Sequence, residues 1–553
     1  MTMKKRYLFR SALLAWVLVA LCSCDDFFDP ENNTVKFGDD YMSERSELYS
    51  GFVGLVTKLQ AVGDKAIYLT DTRAELLEPG GNSPEILNIY NYDDDLSGNS
   101  YADPAKYYDL VIACNDYLHK AKIYKDGRPA AIDMDHYRGL IGGTLRLKAW
   151  TYLTLAKIYG KAIWFDDPMW KLEDLSDVPE LDLEAIVDKC DELLETGFDG
   201  VDGRSEMSWT EWIAQADDEN VSEGAFYFWD LMVPPYFVLS AELSLWKGEN
   251  YQKVVDLILP KLNEAFLASD PKGSQTKWMM SAGYNNAMNR LFDNLGGPST
   301  ASAVAVIRYN YEKDQTNNLL KHFYNDYLLR PSEAGSLRYT DMDFNPRSAP
   351  TSIDTRYSQF ISQDNAGKRY FHKYRKRSGS NRPNTRQDDV HIYLYRSSEL
   401  YLMLIEAFNH LQRYPEMNAL LNRGVDFYFP TGNVTWEGFT DQWTRGSGRA
   451  WPDYGVRGVV GGLPRTLRVS NTEANRKFND IQILQEIILD QPGEGKTYPA
   501  MIRMARRYND PNIIADLVCP KYEVVGKDAE IRAKILNGGY FVPWDLRKVA
   551  SRN

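Results

Sequence analysis

Along the 553-residue chain, apolar residues recur mostly every three to four positions, the spacing of one buried helix face. Residues 43–59 place Leu48, Phe52, Leu55, Val56 and Leu59 on one stripe, and residues 107–124 repeat this with Leu110, Val111, Cys114, Tyr117 and Leu118. The pattern is strongest over 137–159, where Leu145, Ala149, Tyr152, Leu153, Ala156 and Tyr159 precede Gly160, a helix stop. Further amphipathic helices are predicted over 183–194, 237–246, 251–266, 398–411, 416–428, 472–489 and 498–507. Trp150, Tyr152 and Trp246 fall at helical spacing and are expected in the core. The fold class this predicts is all-α dominated, with minor β.

Several helices are predicted to pair across short turns. Ala241 to Gly248 leads through Glu249 and Asn250 into Tyr251, Val254 and Leu257; Glu406-Ala407-Phe408 leads through Leu411 to Arg413 into Tyr414 and Met417. A small residue, a turn, then Tyr opening the next helix is how tetratricopeptide-like hairpins stack, here with an irregular period. Between the hairpins, residues 71–104, 270–343, 345–389 and 429–469 are rich in Gly, Asn, Asp and aromatics. Loops of that length are usually functional, so a helical scaffold carrying long irregular insertions is expected.

The N-terminus sets the compartment. Lys4, Lys5, Arg6 and Arg10 precede an apolar stretch too short to span a bilayer, then Leu21-Cys22-Ser23-Cys24. This resembles a bacterial lipobox, so residues 1–23 are expected to be a lipoprotein signal peptide, with Cys24 lipidated. Residues 24–36 read as a polar tether, and 37–553 as a single domain: an N-terminal part to about 270, loop-rich binding insertions to about 390 and a C-terminal helical part. Removing residues 1–23 takes four positive charges and no acids, lowering the formal charge from −13 to −17, which disfavours nucleic acid. The remaining cysteines, Cys114, Cys190 and Cys519, form neither a disulfide framework nor a CxxC metal site.

Motifs with chemical meaning are few. Asp490 to Thr497 imitates a phosphate-binding loop, but Asp490 stands where a glycine must approach the phosphates, and that reading fails. Asp93, Asp95 and Ser97 with Gly98 open like a calcium loop, but Pro104 replaces the bidentate Glu, leaving only a weak Ca²⁺ candidate. Residues 368–386 hold eight basic side chains among aromatics, expected as a solvated loop, an anionic-substrate contact or a patch meeting a partner. No Gly-x-Ser-x-Gly or His-Glu-x-x-His occurs, so no catalytic residue is predicted. Aromatics reach 13%. Sugar C–H faces stack on such rings while hydroxyls seek amides and guanidinium groups. Loop residues offering both are Asn88, Tyr90, Tyr92, Trp278, Tyr284, Asn286, Arg338 and Tyr339, the candidate ligand contacts.

Cys24 is followed by Asp25-Asp26-Phe27-Phe28. With the lipobox this resembles the start of a SusD/RagB lipoprotein, and Arg146 to Leu153 with Ala156 to Gly160 is similar to a helix of that family. Tyr395 to Met403 with Glu406-Ala407 resembles another, Glu494-Gly495 begins a third motif from which Lys496 and Ala500 depart, and Tyr540 to Trp544 stands at the family's closing motif. The resemblance implies a non-enzymatic, surface-exposed outer-membrane lipoprotein of tetratricopeptide-like helices without a cofactor. Its implied role is to capture an oligosaccharide for a SusC-like TonB-dependent transporter. A peptide ligand on the same scaffold is the alternative; a surface hydrolase and a purely structural role rank lower.

Overall fold

Among the described residues the hydrophobic stripes become nine helices of eleven or more residues: α1 (Arg45–Gln60), α2 (Ala105–Gly127), α3 (Met134–Tyr159), α4 (Leu183–Thr196), α5 (Tyr236–Lys247), α6 (Tyr251–Ala268), α7 (Ser397–His410), α8 (Arg476–Asp490) and α9 (Thr497–Arg507). They are seen in a computed structural model that describes residues 42–169, 177–206, 230–268, 277–278, 280, 292, 302–309, 314–339, 354–374, 390–444, 455–457 and 469–545. By contact the chain divides into residues 1–48 and residues 49–553, and the architecture below is that of the second unit.

From α2 to α9 each long helix packs against the next in sequence. No helix buries its stripe alone, so neighbours supply the core, as in helical repeat arrays. The helix α3 is buried on all sides from Gly139 to Tyr159, enclosed mainly by α2 and α4. Asp133 starts it by accepting the Asp135 N–H, and Gly160 ends it in the left-handed region at φ 72°. A Cβ on Gly160 would lie 2.5 Å from the Phe541 ring, so glycine is required both for φ and for space. The cations that α3 carries inside are all partnered. Lys148 pairs with Asp166 at 2.7 Å and Lys157 with Glu242 of α5 at 2.8 Å. Arg146 donates to the carbonyls of Gly203 and Ser205. Trp150 and Tyr152 are buried as expected, Trp246 half-buried, and Cys114, Cys190 and Cys519 are buried and free.

The expected helix over 416–428 is corrected. A short helix, Tyr414–Asn418, runs into a π-turn at Ala419–Arg423, stops at Gly424 with φ 83°, and resumes as a 3₁₀ turn, Val425–Phe427. The cause is competition for carbonyls: Leu420 and Leu421 accept the N–H groups of Val456 and Arg457 at 2.8 and 2.9 Å. The helical ladder cannot continue through those groups.

Among the described residues the minor β structure is four antiparallel pairs: β1 (Leu77–Pro79) with β5 (Leu329–Pro331), β2 (Lys161–Ile163) with β3 (Glu180–Asp182), β4 (Ala303–Ile307) with β8 (Ile392–Arg396), and β6 (Ile361–Gln363) with β7 (Arg369–Phe371). Three of these pairs, all but β2–β3, lie within or beside the insertions 71–104, 270–343 and 345–389 and tie down their described parts. The 71–104 stretch also contains a helix, Pro84–Tyr90, whose N-cap Ser83 accepts the Ile86 N–H and whose Pro84 sits where a free N–H is not needed.

Candidate functional site

The structure gathers five of the eight candidate ligand residues into one region, but mostly inside it. Asn88 and Tyr90 lie on the 84–90 helix, not in a loop. Tyr90 is buried against Tyr522, with ring centres 4.5 Å apart, and the Lys521 ammonium stands 4.8 Å from its ring. Tyr92, at φ 53°, is buried beneath the Arg73 guanidinium and donates its hydroxyl to the Arg73 carbonyl at 2.8 Å. Arg338 donates to the Leu517 carbonyl, and the buried Tyr339 to that of Leu489. Their expected placement as solvent-facing loop rings is thus corrected for Tyr90, Tyr92 and Tyr339. Tyrosine satisfies its hydroxyl on backbone while its ring fills the core.

Trp278 lies apart, buried, donating its indole N–H to the Ala303 carbonyl at 2.8 Å. Asn88 is half-exposed, and with its amide turned to donate it reaches Asp93 at 3.2 Å and the Pro84 carbonyl at 2.9 Å. Tyr284, Asn286 and Cys24 lie outside the described residues. In the calcium-loop candidate, Asp95 accepts from the backbone and hydroxyl of Ser97. Among the described residues no group of three or more His, Cys, Asp or Glu is placed to hold a metal ion.

The phosphate-loop imitation has its own use. Gly493 and Gly495, both at φ 72°, turn the α8–α9 connection so that their N–H groups point at one carboxylate, that of Asp71. Thr497 adds its hydroxyl at 3.1 Å. Burial still dominates and pushes the Asp71 carboxyl up to about 7. Lys496, the apparent phosphate lysine, instead pairs with Glu399 at 2.9 Å.

Beside this loop lies a buried lattice of four cations and four carboxylates. Arg356 spans Asp354 and Glu486, Arg457 meets Glu486 at 2.7 Å, Arg396 meets Asp490 at 2.7 Å and Glu494 at 2.8 Å, and Lys373 closes on Glu494. Burial drives the Glu494 carboxyl up, but Arg396 and Lys373 outweigh it and bring it down to about 2. Burial lowers Lys373 to about 8. Within the basic segment, then, Lys373 is not solvated but structural; Lys368 stacks 3.7 Å from the Tyr327 ring, and residues 375–389 lie outside the described residues.

A cavity of about 50 Å³ among α3, α5, α7, α8 and α9 is lined by Lys157, Glu242, Glu399, Lys496 and Arg503. Its carboxylates face cations: burial raises Glu242, but Lys157 and Lys496 bring it down to about 2. Held that low, Glu242 stays ionised at neutral pH and is a poor general acid.

What the expected residues did not include is the exposed aromatic group at Phe427 and Tyr428. Its sequence signal was legible as Phe427-Tyr428-Phe429-Pro430, with Trp436 shortly after, on the border of a predicted helix and an irregular stretch.

No protein-family model and no curated protein matches the chain by sequence. Solved structures do match in fold. A SusD superfamily protein from Bacteroides vulgatus ATCC 8482 superposes with a TM-score of 0.59 at 11% identity, covering 92% of this chain and 97% of that one. A SusD homolog from Bacteroides thetaiotaomicron VPI-5482 gives 0.58 at 12% identity over 92% and 97%. Surface glycan-binding protein A from Bacteroides fluxus gives 0.53 at 12% identity over 86% and 90%. The shared architecture runs nearly end to end, and the chain has the SusD-like fold, an all-α scaffold of tetratricopeptide-like hairpins.

Proposed function

We propose that the protein is a non-enzymatic glycan receptor, anchored by Cys24 to the outer face of an outer membrane, that binds an oligosaccharide and passes it to a SusC-like TonB-dependent transporter. The observation that carries this reading is the near end-to-end fold match to SusD superfamily proteins, one of them named as a surface glycan-binding protein. The lipobox-like Leu21 to Cys24 supports the anchor. Glu242, Glu486 and Glu494 each meet at least one buried cation, which suits these three to holding the fold and not to donating a proton. Of the expected ligand contacts, Asn88, Tyr284 and Asn286 are retained as candidates, with Tyr90, Tyr92 and Tyr339 holding the surface from beneath.

The test is native-gel retardation of the chain lacking residues 1–23 on soluble xylan, mixed-linkage β-glucan, pullulan, levan and arabinogalactan. Retardation by at least one polysaccharide, with no release of reducing ends, is the expected result. No retardation on any, together with peptides co-purifying from native membranes, would replace the glycan by a peptide ligand.

A further inference from the structure

Exposed aromatic rings on a folded protein are common singly and rare in contiguous runs. Here they form a run. Phe427 is 56% and Tyr428 37% exposed, and Phe429 and Trp436 are half-exposed. The rings touch in series, with centres 5.4 Å apart for Phe427–Tyr428, 5.1 Å for Tyr428–Trp436 and 4.9 Å for Phe429–Trp436.

The run is mounted on the core. Trp436 leans on the buried Phe439 at 5.8 Å, and Phe439 on the fully buried Trp443 at 4.9 Å. Trp443 is wedged against Phe266 of α6 and Tyr401 of α7, and its indole N–H donates to Asn263 at 2.7 Å. Backbone bonds pin the loop as well: Asp441 accepts the Val434 N–H, Arg413 donates to the Glu437 carbonyl, and Asn263 donates to that of Gly438. The rings therefore cannot fold inward to escape water without dismantling this support.

The edge of the run is polar in a particular way. The exposed Arg423 guanidinium stacks 4.3 Å from the Phe427 ring, and Asn418 donates its amide to the Tyr428 hydroxyl at 3.0 Å. The Trp436 indole N–H has no acceptor among the described residues. Flat rings bordered by a guanidinium, an amide and an N–H donor match a sugar ring, whose C–H face is apolar and whose rim is hydroxyl. Partly exposed, the four rings offer roughly a few hundred Å². A stable protein interface needs about 800 Å² from each partner, so the run is small for that use.

We propose that Phe427, Tyr428, Phe429 and Trp436 form a saccharide-stacking surface for a neutral oligosaccharide, with Arg423 and the Trp436 indole N–H bonding its hydroxyls. This rests on the glycan-receptor reading and adds a location to it.

The experiment uses the chain lacking residues 1–23 and whichever of the five polysaccharides above retards it most. Hydroxyl-radical footprinting with and without that polysaccharide reads oxidation at Phe427, Tyr428 and Trp436 against Phe478, an exposed ring on α8. The expected result is at least threefold protection of the first three and none of Phe478. The Phe427→Ala/Tyr428→Ala double variant is expected to weaken retardation at least tenfold at unchanged melting temperature. Retardation with protection elsewhere, or undiminished in a folded double variant, overturns this surface and leaves the receptor reading standing. No retardation by any polysaccharide overturns both. Should the double variant misfold, the wild-type footprint decides.

Discussion

Asp71 accepts the backbone N–H of Gly495 at 2.5 Å, across 424 positions of sequence. The bond ties the end of the Lys65–Asp71 helix to the connection between α8 and α9, so early and late parts of the chain share one buried anion site. A loop shaped like a phosphate cradle has thereby been filled by the protein's own carboxylate.

That carboxylate makes stability depend on pH. Its pKa rises from 3.8 to about 7 on burial, above the unfolded value. The contribution of protonated Asp71 is therefore full below about pH 4 and is lost as pH rises toward 7, an effect of up to about 4 kcal/mol. Asp71→Asn keeps a neutral acceptor at every pH. Urea denaturation of both proteins at pH 4.5 and 7.5 is expected to show the difference shifting toward the variant by a few kcal/mol at the higher pH. A difference that stays constant would mean Asp71 is ionised throughout.

The charge lattice behaves oppositely in acid. Glu494 sits near 2, below its ordinary 4.5, so its stabilisation is present above about pH 4.5 and lost as pH falls toward 2. Lys373→Met removes one of the two cations meeting it and is expected to move the acid-unfolding midpoint upward in circular dichroism. Arg356→Met leaves Asp354 and Glu486 facing each other with less compensation, at a cost of about 3–5 kcal/mol in urea denaturation. A loss under about 1 kcal/mol would show that the carboxylates protonate or rehydrate cheaply.

The helices were readable because their stripes repeat, and both α3 and its stop at Gly160 follow from apolar spacing and one glycine. The break at Leu420 and Leu421 was not readable, since it depends on amides of Val456 and Arg457 arriving from 36 positions away. The burial of the candidate rings Tyr90, Tyr92 and Tyr339 was hidden for a related reason. Tyr90 and Tyr92 look like loop aromatics in sequence, but Tyr522, Lys521 and Arg73 cover them, and nothing local announces those partners. Nothing near Lys373 in its basic stretch likewise announces Glu494, which only the fold brings to it.

Tyr90 and Tyr92 accordingly belong to stability. Replacing either with Ala is expected to cost about 3–5 kcal/mol, the range for a buried aromatic. Tyr92→Phe removes the hydroxyl that bonds the Arg73 carbonyl and meets the Tyr498 hydroxyl, and is expected to cost about 1 kcal/mol. Thermal denaturation checks both, and polysaccharide retardation by the folded Tyr92→Phe protein should match wild type. Weakened binding at unchanged stability would return Tyr92 to the ligand surface.

Gly455 offers a way to disturb the aromatic run without touching a ring. A Cβ there would stand 2.5 Å from the Leu420 carbonyl oxygen and 2.6 Å from that of Ala419, both backbone atoms with little room to yield. Gly455→Ala is expected to push its segment outward and weaken the Val456 and Arg457 bonds to Leu420 and Leu421, costing about 1–3 kcal/mol. The π-turn that leads through Gly424 into Phe427 would then loosen, and retardation on polysaccharide should fall even where the protein remains folded. Gly54 in α1 has no atom within 4 Å of its Cβ position, so Gly54→Ala should stabilise by about 0.5–1 kcal/mol through helix propensity alone. Paired melting and retardation measurements on the two variants separate a local steric effect from a general one. Equal outcomes at Gly455 and Gly54 would show that the close approach to Leu420 places no constraint on the aromatic surface.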